Sequence, residues 1–202
     1  MDRSGIRRIV PILLVLIIVG LVIAALVSIG RTFFGGGGAS PSPTPQVNVG
    51  KQALTSTLAD RSVRMSVRGP LVADENFHSY TVTVAPDSRN LTTYQGYSGQ
   101  AIDTSQLANT PVSYEQFVHA LDRARLMDGT PLTGDANDTR GICATGMLYQ
   151  FEVLQGSNVV QSLWTSTCAG SPGSLKANLP QVQRLFTAQI PDTVKLTSKI
   201  NL

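Results

Sequence analysis

The sequence predicts an α+β protein: an N-terminal transmembrane helix, a flexible linker, then an antiparallel sheet of about five strands with helices on one face. Three observations carry this. A long uncharged run (9–29) comes first, period-two hydrophobic alternation recurs in segments joined by turns, and two later stretches carry apolar residues at helical spacing. The implied divisions are a cytoplasmic tail at 1–8, a transmembrane signal anchor at 9–34, a Gly/Pro-rich linker at 35–50 and an extracytoplasmic α+β domain at 51–202.

The run IVPILLVLIIVGLVIAALVSI (9–29) has 21 residues, 16 of them Leu, Ile or Val, and no charge. At about 1.5 Å per residue a helix of that length matches the roughly 30 Å hydrocarbon core of a bilayer. Pro11 sits in the first turn, where its missing N–H costs little. Arg3, Arg7 and Arg8 precede the run and Arg31 alone follows it before Lys51, so the positive-inside rule keeps the N-terminus in the cytoplasm and exports the rest. A cleaved signal peptide is the competing reading, but its apolar core is ordinarily about 7–15 residues. A lipoprotein would need a cysteine after the span, and a type IV prepilin a glutamate near the start of its apolar segment; neither is present. Residues 35–46, GGGGASPSPTPQ, combine a flexible joint with an extended Pro-rich stalk.

The net charge of +3 comes from the first 50 residues, where four arginines face one aspartate. From Lys51 onward 12 basic residues balance 12 acidic ones, so no nucleic-acid footprint is expected. Cys143 and Cys168 both lie in the exported part. An oxidising compartment favours a disulfide between them, and two buried free thiols are the alternative.

Taken in order, residues 51–59 form a short helix. Residues 61–68 (RSVRMSVR) alternate Val63, Met65 and Val67 against Arg64 and Arg68, a half-buried strand. A second strand at 77–85 alternates Tyr80, Val82 and Val84 against Ser79, Thr81 and Thr83; PDSRN (86–90) turns the chain, and 91–97 returns as a third strand. Residues 98–112 read as a surface loop. Ser113 and Gln116 suggest a capping box opening a helix whose inner face is Tyr114, Phe117, Val118, Leu121 and Ala124. A polar loop at 128–141 leads to a hairpin, 143–154 with 158–168, turning at Gly156 and Ser157. With opposed residue numbers summing to 313, Tyr149 faces Trp164 and Val153 faces Val160 on the core side, while Gln150, Glu152 and Gln161 face water. The cysteines fall two residues out of that register, so a bulge or shifted turn would bring them within bonding reach. Asn178 caps a last helix with Pro180 in its first turn and Val182, Leu185, Phe186 and Gln189 inside; from Asp192 the tail reads as loose.

Catalytic signatures are sparse. No HExxH, P-loop or GxSxG pattern occurs, and His78 and His119 read as sheet-edge and surface residues, so no catalytic residue is assigned and the balance leans against an enzyme. No cofactor or metal is expected; the loop with Asp128, Asp135 and Asp138 begins like a calcium loop but lacks its later glycine and glutamate. A wall-glycan hydrolase working through carboxylates such as Asp122 and Glu152 is the alternative function. Tyr94 and Tyr97 read as core under the sheet; exposed, they would stack on sugars or on a partner's side chains. With Arg64 and Arg68, which could meet an anionic wall polymer or lipid headgroups, they make up the candidate binding surface.

TYQGY (93–97), RGICATG (140–146) and SLWTSTC (162–168) resemble segments of an uncharacterised single-pass envelope protein family of ultrasmall host-attached bacteria. The resemblance covers about residues 60–191. It implies a bacterial envelope setting, no assigned activity and no catalytic residue. The expected function is therefore a membrane-anchored extracytoplasmic binding or structural domain. Its expected partners are the lipid bilayer through residues 9–34 and an envelope protein or glycan.

Overall fold

A computed structural model describes residues 48–202, and the predicted tail and transmembrane segment lie outside them. Among the described residues no helix is long and apolar enough to cross a membrane. The element order is α1 (Val49–Leu54), β1 (Arg61–Arg68), β2 (His78–Val84), β3 (Ser88–Gln95), β4 (Gln100–Ala108), α2 (Pro111–Arg123), β5 (Leu148–Gln155), β6 (Asn158–Ser166), α3 (Leu179–Thr187) and α4 (Thr193–Thr197), with 3-10 turns at Asp74–Asn76 and Gly134–Asn137. The strands form one six-stranded antiparallel sheet in the order β4-β3-β2-β1-β5-β6.

Alternation divides the sheet into two faces. Val63, Met65 and Val67 of β1, Tyr80, Val82 and Val84 of β2, Leu91 of β3, Tyr149, Phe151 and Val153 of β5 and Leu163 of β6 point to one side. There they meet Leu54 of α1, the predicted Tyr114, Phe117, Val118 and Leu121 of α2, Val182 and Phe186 of α3, and Leu196 of α4. The Phe186 ring makes an edge contact with Phe117 at 5.2 Å and a tilted one with Phe151 at 5.8 Å, joining two helices to the middle of the sheet. Each large side chain buried this way contributes about 1.5–3 kcal/mol.

Five expectations change. The sheet has six strands because residues 100–108, read as part of a loop, form β4 at an edge. Its inward residues are Asp103, Ser105 and Leu107 at the rim of the core, so the strand lacks the apolar stripe that marks the others. A bulge interrupts its pairing with β3, and there the buried Thr93 hydroxyl bonds both the N–H and the C=O of Asp103. Helix α2 starts at Pro111, capped by Thr110, whose hydroxyl accepts from the Ser113 N–H at 3.2 Å; Ser113 is inside the first turn and is not the cap. Helix α1 is shorter than predicted and begins earlier, because the Asn48 side chain caps it from Lys51 N at 2.9 Å and also donates to Met127 O. The tail is not loose: α4 and the residues after it place Leu196 and Ile200 in the core.

The fifth correction concerns the β5–β6 hairpin. Next to the Gly156-Ser157 turn the pairs are Gln155 with Asn158 and Leu154 with Val159, as expected. The register then shifts between Val153 and Leu154, so Val153 opposes Gln161, Gln150 opposes Trp164 and Tyr149 opposes Thr165. One extra residue on β6 turns Trp164 away from the helices onto the other face, where it is buried with its indole Nε1 lacking a partner.

Candidate binding cleft

The second face of the sheet carries no helix layer in its sequence pattern: its ranks read Thr104, Thr92, Thr81, Ser66, Gln150 and Trp164, and beside them Gln106, Asn90, Thr83, Arg64, Glu152 and Ser162. These side chains pair among themselves. Thr104 donates to Thr92 at 3.3 Å, Tyr94 and Thr81 share a hydrogen bond at 3.3 Å, and Gln150 donates to both Glu152 and Ser162 at 3.1 Å. Arg64 holds the buried Glu152 through Nε at 2.8 Å and Nη2 at 2.7 Å, so its charge is spent inside the sheet.

A cleft opens at one end of this face, where β1 leaves the sheet. It consists of two adjoining cavities of about 210 and 440 Å³ that share Arg68, Phe77 and Thr139. The larger is also lined by Leu71, Tyr97, Arg140 and Gly141. Its aromatic wall is rigid. Tyr97 stacks on Phe77 with ring centroids 4.2 Å apart and planes 18° from parallel, and its hydroxyl donates to Val72 O at 2.8 Å. Asp74 accepts from the Tyr97 N–H at 2.7 Å, and a side chain at Gly96 would sit 3.1 Å from that carboxylate at φ +73°, so the turn requires glycine there. Tyr97 remains 55% exposed, which leaves the ring face away from Phe77 as a stacking surface.

The opposite wall is the segment 139–146. Cys143 bonds Cys168 with Cα atoms 5.4 Å apart, the disulfide expected from the sequence, although both lie beyond the ends of the strands. Cys143 adopts φ +52° in that turn. Gly146 is needed behind it, since a Cβ there would come within 2.4 Å of the Thr167 hydroxyl and 2.9 Å of Cys143 Sγ. The backbone of the segment is tied to the end of β1 by Arg68, whose guanidinium donates to the carbonyls of Thr139 and Ile142 as well as to that of Gly69, and to the residues after β1 by Leu71 N, which donates to Ala144 O at 2.8 Å.

The electrostatics of the cleft follow from those contacts. Arg68 is half-buried and burial lowers its basicity below that of a free arginine, with Tyr97 acting the other way; its partners are neutral carbonyls and none is a carboxylate. Arg140 reaches out at the rim, 90% exposed, clasped to Asp138 by two hydrogen bonds of 2.9 Å. That clasp holds the Asp138 carboxyl down at about 2, through the Arg140 side chain first and its backbone N–H second. No carboxylate lines either cavity. The arrangement offers a fixed aromatic plane, a half-buried positive charge and an exposed second one paired to Asp138 to an anionic ligand.

Of the predicted surface, Tyr97 and Arg68 reach the cleft. Tyr94 is half-buried on the same face but lines neither cavity, and Arg64 is occupied by Glu152. Neither tyrosine belongs to the core, contrary to expectation: Tyr94 pairs with Ser79 and shares the face of Thr81, away from the helices, and Tyr97 lies past the end of β3 in the turn before β4. Sequence reasoning missed Phe77, Thr139 and Arg140. The available signal for the last two was their place in a polar loop just before a cysteine that closes back on β6. Asp122 and Glu152 are not brought together: Asp122 pairs with Lys51 on the helix layer at 3.2 Å and Glu152 is on the opposite face of the sheet. Asp128 is engaged by Arg125 and Asp138 by Arg140, and among the described residues no three His, Cys, Asp or Glu side chains converge as metal ligands would. His78 borders a separate cavity of about 320 Å³ with Gly69 and Asn76, its Nδ1 buried without a partner. No protein-family model and no curated protein matches the chain.

Proposed function

We propose that the chain is a membrane-tethered extracytoplasmic binding module whose cleft recognises an anionic polymer of the cell envelope, an acidic glycan. The observation that carries this reading is the half-buried Arg68, held only by neutral carbonyls, beside the exposed face of Tyr97 in a cleft with no lining carboxylate. A sugar ring packs on a rigid aromatic plane, and an acid group on that ring supplies the charge Arg68 lacks. The disulfide fits an oxidising, extracytoplasmic setting. The uncharged run at 9–29, with Arg3, Arg7 and Arg8 ahead of it, supports a single-pass anchor with its N-terminus in the cytoplasm. The three segments that carry the family resemblance meet at this end of the sheet: one bears Tyr97, one bears Arg140, and the third ends in Cys168.

The test is a titration of the full chain in nanodiscs with soluble wall-polymer fragments, native and carboxyl-reduced. The acidic fragments are expected to bind saturably and the reduced ones not. Tyr97→Ala and Arg140→Ala should each weaken binding about five- to tenfold, the size of one stacking or one charged contact. Equal binding of native and reduced fragments would remove the anion from the reading, and no saturable binding would remove the glycan.

A further inference from the structure

We propose that β4 is a pairing edge for a second copy of this chain, joining two six-stranded sheets antiparallel about Ser105. The two edges of the sheet are treated differently by the rest of the chain. Along β6 the outward groups of Trp164 are already taken: its C=O accepts from the N–H groups of Ser174 and Leu175 at 2.9 and 3.0 Å, and its N–H donates to the Ser174 hydroxyl at 3.1 Å. Thr165 donates to Pro172 O, so residues 172–175 lie along that edge. Outside β4 no described segment does the same.

Which backbone groups of β4 face outward follows from the ladder. Asn109 N donates to Asp87 O at 2.8 Å, so that pair and every second one after it, Leu107 with Arg89 and Ser105 with Leu91, exchange hydrogen bonds with β3. Thr104 and Gln106 therefore direct their N–H and C=O groups away from the sheet. An exposed strand of this kind is ordinarily blunted by lysine, proline or a like-charge barrier. Over 100–108 there is no proline and no basic residue, and the one acid, Asp103, is neutralised within its own chain by Lys199 at 2.9 Å.

The strand is also complementary to itself. Pairing about Ser105 sets Thr104 of one copy opposite Gln106 of the other, so the outward groups bond reciprocally, making about four new backbone hydrogen bonds. Asp103 then opposes Leu107 and never another Asp103, and the exposed Ile102, 44% accessible, comes level with Ala108. The 12 basic and 12 acidic residues from Lys51 onward leave no net charge to hold two copies apart. Because β6 is occupied, the pairing closes at two.

Ser105 would face its own symmetry mate with Cα atoms about 4.5 Å apart, close enough for a disulfide. The full chain carrying Ser105→Cys, purified in detergent without reductant, should oxidise to a covalent dimer on a non-reducing gel. A chain carrying Val194→Cys, exposed on α4, should not. Adding Thr104→Pro, which removes only an outward N–H, should lower the cross-linked fraction about tenfold. Thr104→Lys with Gln106→Lys keeps every backbone bond and sets like charges opposite each other, so it should act the same way if the proline variant fails to fold. Cross-linking no greater than for Val194→Cys would overturn the proposal. So would a dimer that survives the paired lysines, or a ladder of larger species.

Discussion

The two faces of the sheet are built by alternate residues of the same strands and do different work. On the helix side Val63, Met65, Val82, Leu91, Phe151 and Leu163 are fully buried and make no polar contact through their side chains. On the open side Thr81 bonds Tyr94, Thr92 bonds Thr104, and Gln150, Glu152 and Arg64 form a chain, so that a polar mesh of local contacts covers the face and gives way to a cleft at one end. Burial of apolar area is non-directional and tolerates modest rearrangement. The polar mesh is directional, and each half-made contact leaves a buried group unpaired. Stability is therefore concentrated on one side, and recognition is available on the other.

The contrast is broken most severely from the helix side. Phe186→Ala removes the ring that joins α2, α3 and β5, and it should lower stability by about 3–5 kcal/mol in denaturant unfolding. Cys143→Ser acts between the faces. It opens a loop with a sequence separation of 25 and should cost about 3 kcal/mol. Cys168→Ser should match it and the double variant should resemble either single one, since all three remove the same bond. Markedly additive losses would mean the two sulfurs stabilise the chain independently.

On the open face the largest effect should come from Glu152→Ala, which leaves Arg64 without its carboxylate; about 2 kcal/mol is expected, less than for a fully buried pair because Arg64 is partly solvated. Replacing both residues with methionine should recover most of it, and Thr83→Ala beside them should stay within about 0.5 kcal/mol. A loss for Thr83→Ala as large as for Phe186→Ala would erase the distinction between the faces.

The smallest effects are ionisations, at opposite ends of the pH scale. Burial in the helix-side core pushes the Tyr114 phenol up to about 12, against a smaller opposing pull from Arg61; Tyr80 is likewise raised to about 12 by burial, with Gln183 opposing. A phenol raised in the folded state stabilises below its ordinary value of about 10, and that contribution is lost as pH rises toward 12. Absorbance at 295 nm should show these two rings ionising late and together with alkaline unfolding. At the cleft the sign reverses. Asp138 is depressed to about 2, so the Arg140 clasp is complete above the ordinary carboxylate range and is released only as pH falls toward 2. Carboxyl NMR should follow that step with little change in the fold, because the pair lies at the rim with Arg140 almost wholly exposed.

Where local pattern and burial agree, the sequence was legible. The alternation in 61–68 named Val63, Met65 and Val67 as core, and all three are buried. The 3.6-residue spacing in α2 named its inner face residue for residue, and Asn178 caps α3 as its position implied. The cysteine pairing followed from charge topology and compartment. The cleft was half-legible: Tyr97 and Arg68 stood out as an aromatic among glycines and a cation on the polar parity, but Phe77 and Arg140 come from segments distant in sequence that only folding brings together.

By itself, then, the sequence determined the class of the domain, its inner face, its disulfide and the uncharged run that precedes it, because each is encoded in periodicity or composition within a few tens of residues. Tertiary structure alone decided the rest. Strand β4 has no apolar stripe and is a strand because β3 offers it a ladder. Trp164 changed faces because one residue was inserted into a hairpin whose turn was read correctly. Arg64 and Arg68 look alike in sequence, yet one is neutralised by Glu152 from a strand 88 residues away and the other is held by carbonyls that leave its charge unmet. A side chain's chemistry is local, but whether it is spent inside the fold or left for a ligand depends on which distant partner reaches it.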